Sequence, residues 1–177
     1  MPIAQPRVSR PPVSMPQPVP RRNRPRWRRR ALVLAAATLM LAGGALAQES
    51  FPTAPLAISS AGKSHRFTVE LAVTRAQRAQ GLMWRRRLAA DRGMLFLYPR
   101  DQVIQMWMKN TLIPLDMLFI DRLGTVVRIK ERAVPGTLKV ISSGRRARAV
   151  LELRGGTVSR LGLRPGDKVL AEALGTR

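Results

Sequence analysis

The chain has 177 residues, of which 32 are Lys or Arg, ten are Asp or Glu, one is His and none is Cys, so its formal net charge is +22. The length fits one domain with a tail and excludes a large multidomain enzyme. The lack of Cys excludes disulfides, thiolate nucleophiles and Cys-ligated zinc or iron–sulfur centres, and the single His excludes a site that needs several imidazoles.

The first 47 residues have the composition of an export segment. Residues 1–30 are rich in Pro and Arg, contain nine Arg and no acid, and are expected to be disordered. An uncharged stretch, 31–47, follows and ends in Ala-Leu-Ala, which completes the pattern of a secretory signal peptide with cleavage near Ala47. The alternative is a retained membrane anchor over 31–47, which is short for a bilayer span of about 20 residues.

We therefore expect an exported protein, periplasmic or secreted after cleavage near Ala47. If 31–47 is retained, the protein is instead membrane-associated and anchored to the inner membrane. The basic region before 31–47 is longer than a signal peptide needs, so Met15 is an alternative start to Met1. Either way, the remaining 130 residues must hold together without disulfides, and a domain of about that size buries roughly two-thirds of its unfolded surface.

The residues after Ala47 have the patterns of short strands. Apolar and polar side chains alternate over 65–73, which predicts a half-buried strand, and Thr74 with Gln77 predicts a capping box that opens a helix ending before Gly81. Further strands are predicted over 93–98, 104–109, 115–120, 125–130, 147–153 and 168–173, with one or two helical turns in 155–161 and turns at 121–124 and 164–167.

These elements predict a mostly β fold in a single compact domain, a sandwich or a barrel-like sheet of about seven or eight short strands with one or two short helices. We place a linker and the first strand in 48–63, the domain in 64–174 and a tail in 175–177.

One segment, 104–121, concentrates polar and aromatic side chains. Period-2 alternation places Trp107 and Lys109 on one face of a strand, and it places Asp116 on an otherwise apolar face of the next, where a carboxylate needs a hydrogen-bond or ion-pair partner. One interpretation is a small ligand-binding pocket formed by Trp107, Lys109, Asn110 and Asp116. The other is structural, with Asn110 and Asp116 binding the backbone of the intervening loop and Trp107 packing beneath it.

Four stretches of the chain resemble a known family. Gly-Leu-Met at 81–83, Gly-Met-Leu-Phe at 93–96, the segment 107–121 and Val-Leu-Glu-Leu at 150–153 are similar to domain-of-unknown-function family 192. The resemblance covers about Phe67 to Glu172 and implies a compact, mostly β domain that is often exported, with no established activity. Many members have a Cys after Pro where this chain has Pro135-Gly136, so no redox or metal role of that Cys is expected here.

The sequence favours a binding or accessory module of the cell envelope over an enzyme. Its basic surface suits anionic partners such as lipid head groups or polysaccharide, whereas nucleic acid is not expected because of the export pattern and the lack of a stacking platform of aromatic residues. No nucleophile elbow, His–Glu metal motif or phosphate-binding Gly-rich loop is present, and no cofactor is predicted. The enzymatic alternative is a hydrolase that uses Asp116 and Lys109 as an acid–base pair.

A second alternative is a soft-metal site for copper. Thioethers bind Cu(I), and the residues after Ala47 contain five Met, which are Met83, Met94, Met106, Met108 and Met117. Met side chains also fill gaps in cores beside aromatic residues, so no metal ligand is assigned.

Overall fold

The computed structural model describes residues 49–176, which form a mostly β domain with seven strands and two short α-helices. The elements in chain order are β1 (Thr53–Ser60), β2 (Lys63–Ala72), α1 (Arg75–Gln80), β3 (Arg92–Met106), β4 (Leu115–Ile120), β5 (Val126–Ala133), β6 (Ile141–Arg154), α2 (Thr157–Leu161) and β7 (Lys168–Leu170), with a 3₁₀ turn at Glu172–Leu174.

All seven strands belong to one sheet with the order β5-β4-β6-β3-β2-β1-β7. β2 and β3 are parallel, and every other neighbouring pair is antiparallel. The sheet curls until its two edges meet at one end, where Thr125 bridges to Lys168 and the Val169 N–H donates to the Gly124 carbonyl at 2.7 Å. The predicted mostly β, barrel-like fold is therefore confirmed, with one curled sheet in place of two stacked ones.

The two faces of the sheet carry two separate cores. The inner core takes buried side chains from all seven strands, together with Val158 of α2 and Leu163 after it. The outer core takes alternate residues of the central strands and is covered by the loops that contribute Leu82 and Met108. Because both faces are covered, β4 is buried along its whole length, and Glu152 of β6 lies on the outer face while Leu151 and Leu153 lie on the inner one.

The predicted capping box of α1 is confirmed. The Gln77 N–H donates to the Thr74 hydroxyl at 3.0 Å, and the Gln77 side-chain oxygen accepts from the Thr74 N–H at the same distance. Gln77 also donates to the Ser50 carbonyl at 2.7 Å, which ties the start of the described chain to the helix. These bonds fix the position of α1 against the outer face.

Two predicted strands are parts of a single one. The predicted strands 93–98 and 104–109 lie on either side of Pro99, but β3 continues through this residue because its pairing with β6 shifts register between Leu97 and Gln102. β3 ends at Met106, so the prediction of a strand is wrong for 107–109, which lie in the following loop. A β-bulge tolerates Pro because the ladder is already interrupted there. The predicted strand 147–153 is likewise the second half of the longer β6.

The predictions for 1–47 lie outside the described residues, and this includes the signal peptide with its cleavage near Ala47. In residues 49–176, no helix has the length and apolar character needed to cross a bilayer.

Candidate functional site

A cleft of about 740 Å³ opens on the outer face of the sheet, between α1 and β3. Side chains from both halves of β3, on either side of its bulge, line the cleft. Its charged and aromatic lining residues are Arg75, Arg78, Phe96, Tyr98, Arg100, Trp107, Lys109 and Glu152.

Glu152 supplies the only carboxyl group among the described residues that line the cleft. It lies between Met94 of β3 and Met117 of β4 in the centre of the sheet, and it is only 4% exposed. None of the side-chain hydrogen bonds within 49–176 satisfies its carboxyl. Burial raises the pKa of Glu152 from its ordinary 4.5 to about 8. At neutral pH the group is therefore mostly protonated, and it can both donate and accept a hydrogen bond.

Four basic side chains line the same cleft. Arg75, Arg100 and Lys109 are exposed, while Arg78 is half-buried and donates to the backbone carbonyls of Val73 and Leu97. With Glu152 protonated, no negative charge among the described lining residues opposes these four cations. Like charges that line a concave surface focus the field and raise the local concentration of anions.

Aromatic side chains form part of the cleft wall. Trp107 is 51% exposed with the Lys109 ammonium 5.6 Å from its ring centre, and the Arg78 guanidinium lies 5.1 Å from the ring centre of Tyr98. Burial raises the pKa of the Tyr98 hydroxyl, the charge of Arg78 opposes this rise, and the proximity of Glu152 adds to it. The cleft thus offers flat apolar surfaces beside its charged groups.

The four residues predicted from the sequence are distributed over different environments. Trp107 and Lys109 line the cleft. Asn110 does not line it; its backbone has φ of +56° and its amide contacts the Met83 sulfur at 3.8 Å. Asp116 is fully buried on the inner face, away from the other three.

Both oxygens of Asp116 accept backbone hydrogen bonds. Oδ1 accepts from the Arg132 N–H and Oδ2 from the Val158 N–H, each at 2.8 Å. The second bond satisfies a free N–H in the first turn of α2, a helix whose N-cap, Gly156, has no side chain to do so. Asp116 therefore joins β4, β5 and α2, and the bonded backbone is not that of the 110–114 loop.

Sequence reasoning missed Glu152, Arg78 and Tyr98. A signal for Glu152 existed, because an acid in the otherwise apolar run Val150–Leu153 must be buried on one face or the other. Arg78 and Tyr98 gave no such signal, since an Arg on a short helix and a Tyr near the end of a strand are common on protein surfaces.

The five Met are divided between the cleft and the core. Met83 and Met106 line the cleft, and the Met106 sulfur accepts from the Tyr98 hydroxyl at 3.6 Å. Met94, Met108 and Met117 are fully buried. Across 49–176, no three His, Cys, Asp or Glu side chains are grouped as metal ligands would be.

Comparisons with known proteins place the chain in a family. The chain is 46% identical to a candidate transcription regulator from Sinorhizobium meliloti 1021, with a TM-score of 0.70 over 71% of this chain and 98% of that one. It is 39% identical to a protein of unknown function from Novosphingobium aromaticivorans, with a TM-score of 0.65 over 66% of this chain and 84% of that one. No curated protein matches the chain. The model of the DUF192 family, described as "Uncharacterized ACR", matches residues 56–171, and the chain therefore belongs to that family.

Proposed function

We propose that the domain is a binding module of the cell envelope whose cleft holds an anionic group that also carries hydroxyls. Phosphate or carboxylate beside hydroxyls is the chemistry shared by lipid head groups and acidic polysaccharide. The observation that carries the proposal is Glu152, a buried carboxyl that has no side-chain hydrogen-bond partner within 49–176 and faces a cleft lined by cations.

The lining groups complement such a ligand in three ways. Arg75, Arg100 and Lys109 would attract the anionic group, and their attraction would be screened by salt because they are exposed. Trp107 would pack against the apolar face of a sugar ring or a glycerol backbone. Glu152 would exchange hydrogen bonds with a ligand hydroxyl, which would satisfy a polar group that is otherwise buried alone.

The location is part of the proposal. The basic and apolar segments in 1–47 have the pattern of an export signal or an anchor, and anionic lipids and polysaccharides are what an exported domain meets. Fusion of residues 1–47 to a reporter that is active only outside the cytoplasm tests this, and a reporter that stays inactive would contradict the envelope location.

Two soluble probes test the cleft and separate the two sources of ligand. We expect calorimetric titration with glycerol 3-phosphate or with oligogalacturonate to show binding that weakens with added salt. Lys109→Gln and Trp107→Ala should weaken it, whereas Lys130→Gln, which changes an exposed Lys of β5 outside the cleft, should not. The proposal fails if neither probe binds, or if Lys130→Gln has the same effect as Lys109→Gln.

A second candidate function is acid catalysis by Glu152. The observation that favours it is the raised pKa of about 8, which keeps a proton available at neutral pH in a cleft. This moves the proposed acid from Asp116, whose oxygens are both occupied by backbone N–H groups, to a residue that faces solvent through the cleft. Long incubation of the same probes with the protein should then yield a product that the Glu152→Gln variant does not form.

A further inference from the structure

Three loops meet beside the mouth of the cleft. Residues 83–88, 107–114 and 134–140 are joined by backbone hydrogen bonds, from the Trp84 N–H to the Asn110 carbonyl at 2.8 Å and from the Met108 N–H to the Thr137 carbonyl at 3.1 Å. We call the surface formed by these three loops the loop face.

The loop face displays large apolar side chains to solvent. Nine large hydrophobic residues are exposed within 49–176, and six of them belong to this face: Trp84, Trp107, Leu112, Val134, Leu138 and Val140. Single exposed hydrophobic residues are ordinary, but a group of this size on adjoining loops marks an interaction site.

Trp84 is held in an unfavourable conformation that keeps it exposed. Its φ is +65°, a value that a bulky residue rarely adopts, and its side chain is 65% exposed. Asn110, which accepts the hydrogen bond from the Trp84 N–H, also has a positive φ, of +56°. Backbone strain of this kind persists only where the surrounding structure imposes it, and it is concentrated at functional sites.

The charge of the loop face is of one sign. The three loops contain no acidic residue, and Arg86, Arg87, Lys109 and Lys139 are exposed on them. Arg85 also belongs to these loops, but its guanidinium forms a bidentate ion pair with the Glu70 carboxylate, with N–O distances of 2.5 and 2.6 Å. A surface that combines exposed apolar side chains, two of them Trp, with exposed cations and no acid is complementary to an anionic lipid surface, where the apolar groups enter the interface and the cations remain at the head groups.

The described chain begins on the same side of the domain. The Glu49 N–H donates to the Gln80 side chain at the end of α1, and the Phe51 ring lies 5.9 Å from the Arg85 guanidinium, next to Trp84. The first described residues therefore lie close to the loop face.

We propose that the loop face docks the domain onto an anionic lipid bilayer, with Trp84, Leu112 and Leu138 inserted at the interface. This goes beyond ligand binding in the cleft, because these three side chains do not line it. The docking would bring the mouth of the cleft, at Trp107 and Lys109, to the level of the head groups.

The lack of native Cys allows a test that is specific for this face. The full chain is made with Leu138→Cys or with Leu123→Cys, and each variant is labelled with a polarity-sensitive nitrobenzoxadiazole dye. The two positions are equally accessible, because Leu138 is 65% and Leu123 64% exposed. Leu123 is the control, since it lies in the β4–β5 turn at the other end of β4. We expect vesicles of equal parts phosphatidylglycerol and phosphatidylcholine to shift the emission at position 138 to the blue and to leave position 123 unchanged. Attachment through 31–47 alone would shift neither dye, and this result would overturn the proposal.

Variants of the face sharpen the same measurement. Lys139→Gln should raise the vesicle concentration at half-shift about five-fold, since each cation near an anionic surface contributes about 1 kcal/mol, and Trp84→Ala should raise it about ten-fold or more. Thermal unfolding of each variant shows whether the fold is retained. Equal binding to vesicles of pure phosphatidylcholine would overturn the proposal. An emission shift that depends on protein concentration in the absence of vesicles would also overturn it, because the face would then bind a second copy of the chain. The titration with soluble probes needs no vesicles, so a failure of the cleft proposal can be distinguished from a failure of the loop-face proposal.

Discussion

Glu152 and Asp116 are both buried carboxyls, but their surroundings differ. Asp116 accepts two backbone N–H groups on the inner face of the sheet, whereas Glu152 has no hydrogen-bond partner in the described domain and faces the cleft. Hydrogen bonds to an ionised carboxylate stabilise its charge, while burial without them favours the neutral acid. Asp116 therefore contributes to the stability of the fold, whereas the burial of Glu152 reduces it.

Glu152→Gln should remove a pH dependence of stability. A carboxyl whose pKa is about 8 when folded and 4.5 otherwise binds more protons in the folded state, so the contribution of Glu152 to the free energy of unfolding falls as pH rises from 4.5 to 8 and is level outside that range. The neutral amide cannot ionise, so the variant should lack this fall and gain most over the wild type above pH 8. Urea unfolding across the range measures this, and parallel profiles for the two proteins would contradict it.

Asp116→Asn should destabilise the fold by about 1.5–3 kcal/mol, the usual range for a hydrogen bond to a charged group. The amide keeps one acceptor and turns its other end, a donor, toward the N–H of Arg132 or Val158. The urea midpoint checks the loss, with Asp91→Asn as a control at an exposed carboxylate that should change stability by less than about 0.5 kcal/mol. If the urea midpoint of Asp116→Asn equals that of the wild type, the structural role assigned to Asp116 is wrong.

Sequence reasoning identified one of these carboxyls and missed the other. Alternation along 115–120 identified Asp116 as a polar residue on an apolar face, but it could not show that the partners would come from residues as distant as 132 and 158. Glu152 gave the same kind of signal, an acid in the apolar run Val150–Leu153, but nothing in the sequence shows that the face it occupies opens into a cleft. Trp107 and Lys109 were predicted on one face of a strand, but they lie in the loop that follows β3. Only the folded structure shows that they share a cleft with Tyr98 and α1.

At the scale of elements, α1 owes its position to hydrogen bonds at its N-terminus. Thr74 and Gln77 satisfy the first N–H groups, and the Gln77 amide continues to the Ser50 carbonyl. The helix has only six residues and could not form alone in water. Arg75 and Arg78 reach the cleft because these bonds and the packing of the outer face hold the helix in place.

Thr74→Ala should therefore destabilise the domain by about 1 kcal/mol, through loss of the acceptor for the Gln77 N–H. Thr74→Ser retains a hydroxyl at the same position and should keep most of the stability. Thermal unfolding of the three proteins in parallel provides the measurement. Equal losses in both variants would mean that the hydroxyl does not act as the cap.

Element types were easier to predict than element lengths. The capping box and the hairpin turn at 121–124 are local chemistry, and both are present, with the Asp121 carboxylate accepting from the N–H groups of Leu123 and Thr125. The length of β3 was not predictable because Pro99 normally ends a strand, and only pairing with a partner 40 or more residues away keeps the chain extended through it.

At the scale of the whole molecule, the curled sheet depends on the seam between its edges. Gly124 lies at this seam with φ of +75°, and a Cβ there would come within 2.4 Å of the Val169 carbonyl oxygen. Gly62, in the β1–β2 turn, has nearly the same φ, +74°, with no atom within 4 Å of its missing Cβ. The two glycines therefore have the same backbone conformation, and they differ because only Gly124 is packed against the opposite edge of the sheet.

Gly124→Ala should destabilise the domain more than Gly62→Ala, which should lose about 1 kcal/mol for the positive φ alone. The excess loss in the first variant reports how much closure of the sheet contributes to stability. Urea unfolding gives both values, and equal losses would show that the seam opens without cost.

The place of β6 in the sheet determines the order in which the fold can form. It is among the last strands to be synthesised, yet it separates β3 from β4, and without it β1–β3 and β4–β5 have no shared ladder. β1 pairs with β2 at once, but its other edge stays unpaired until β7 is made, since Ala57 pairs with Leu170. Pairings between residues so distant in sequence make folding slow, because the loops must close before the contacts stabilise them. The two parts of the sheet therefore cannot join before β6 has been synthesised up to residue 154. A translocation channel that accepts only unfolded chains would have that interval in which to engage the chain.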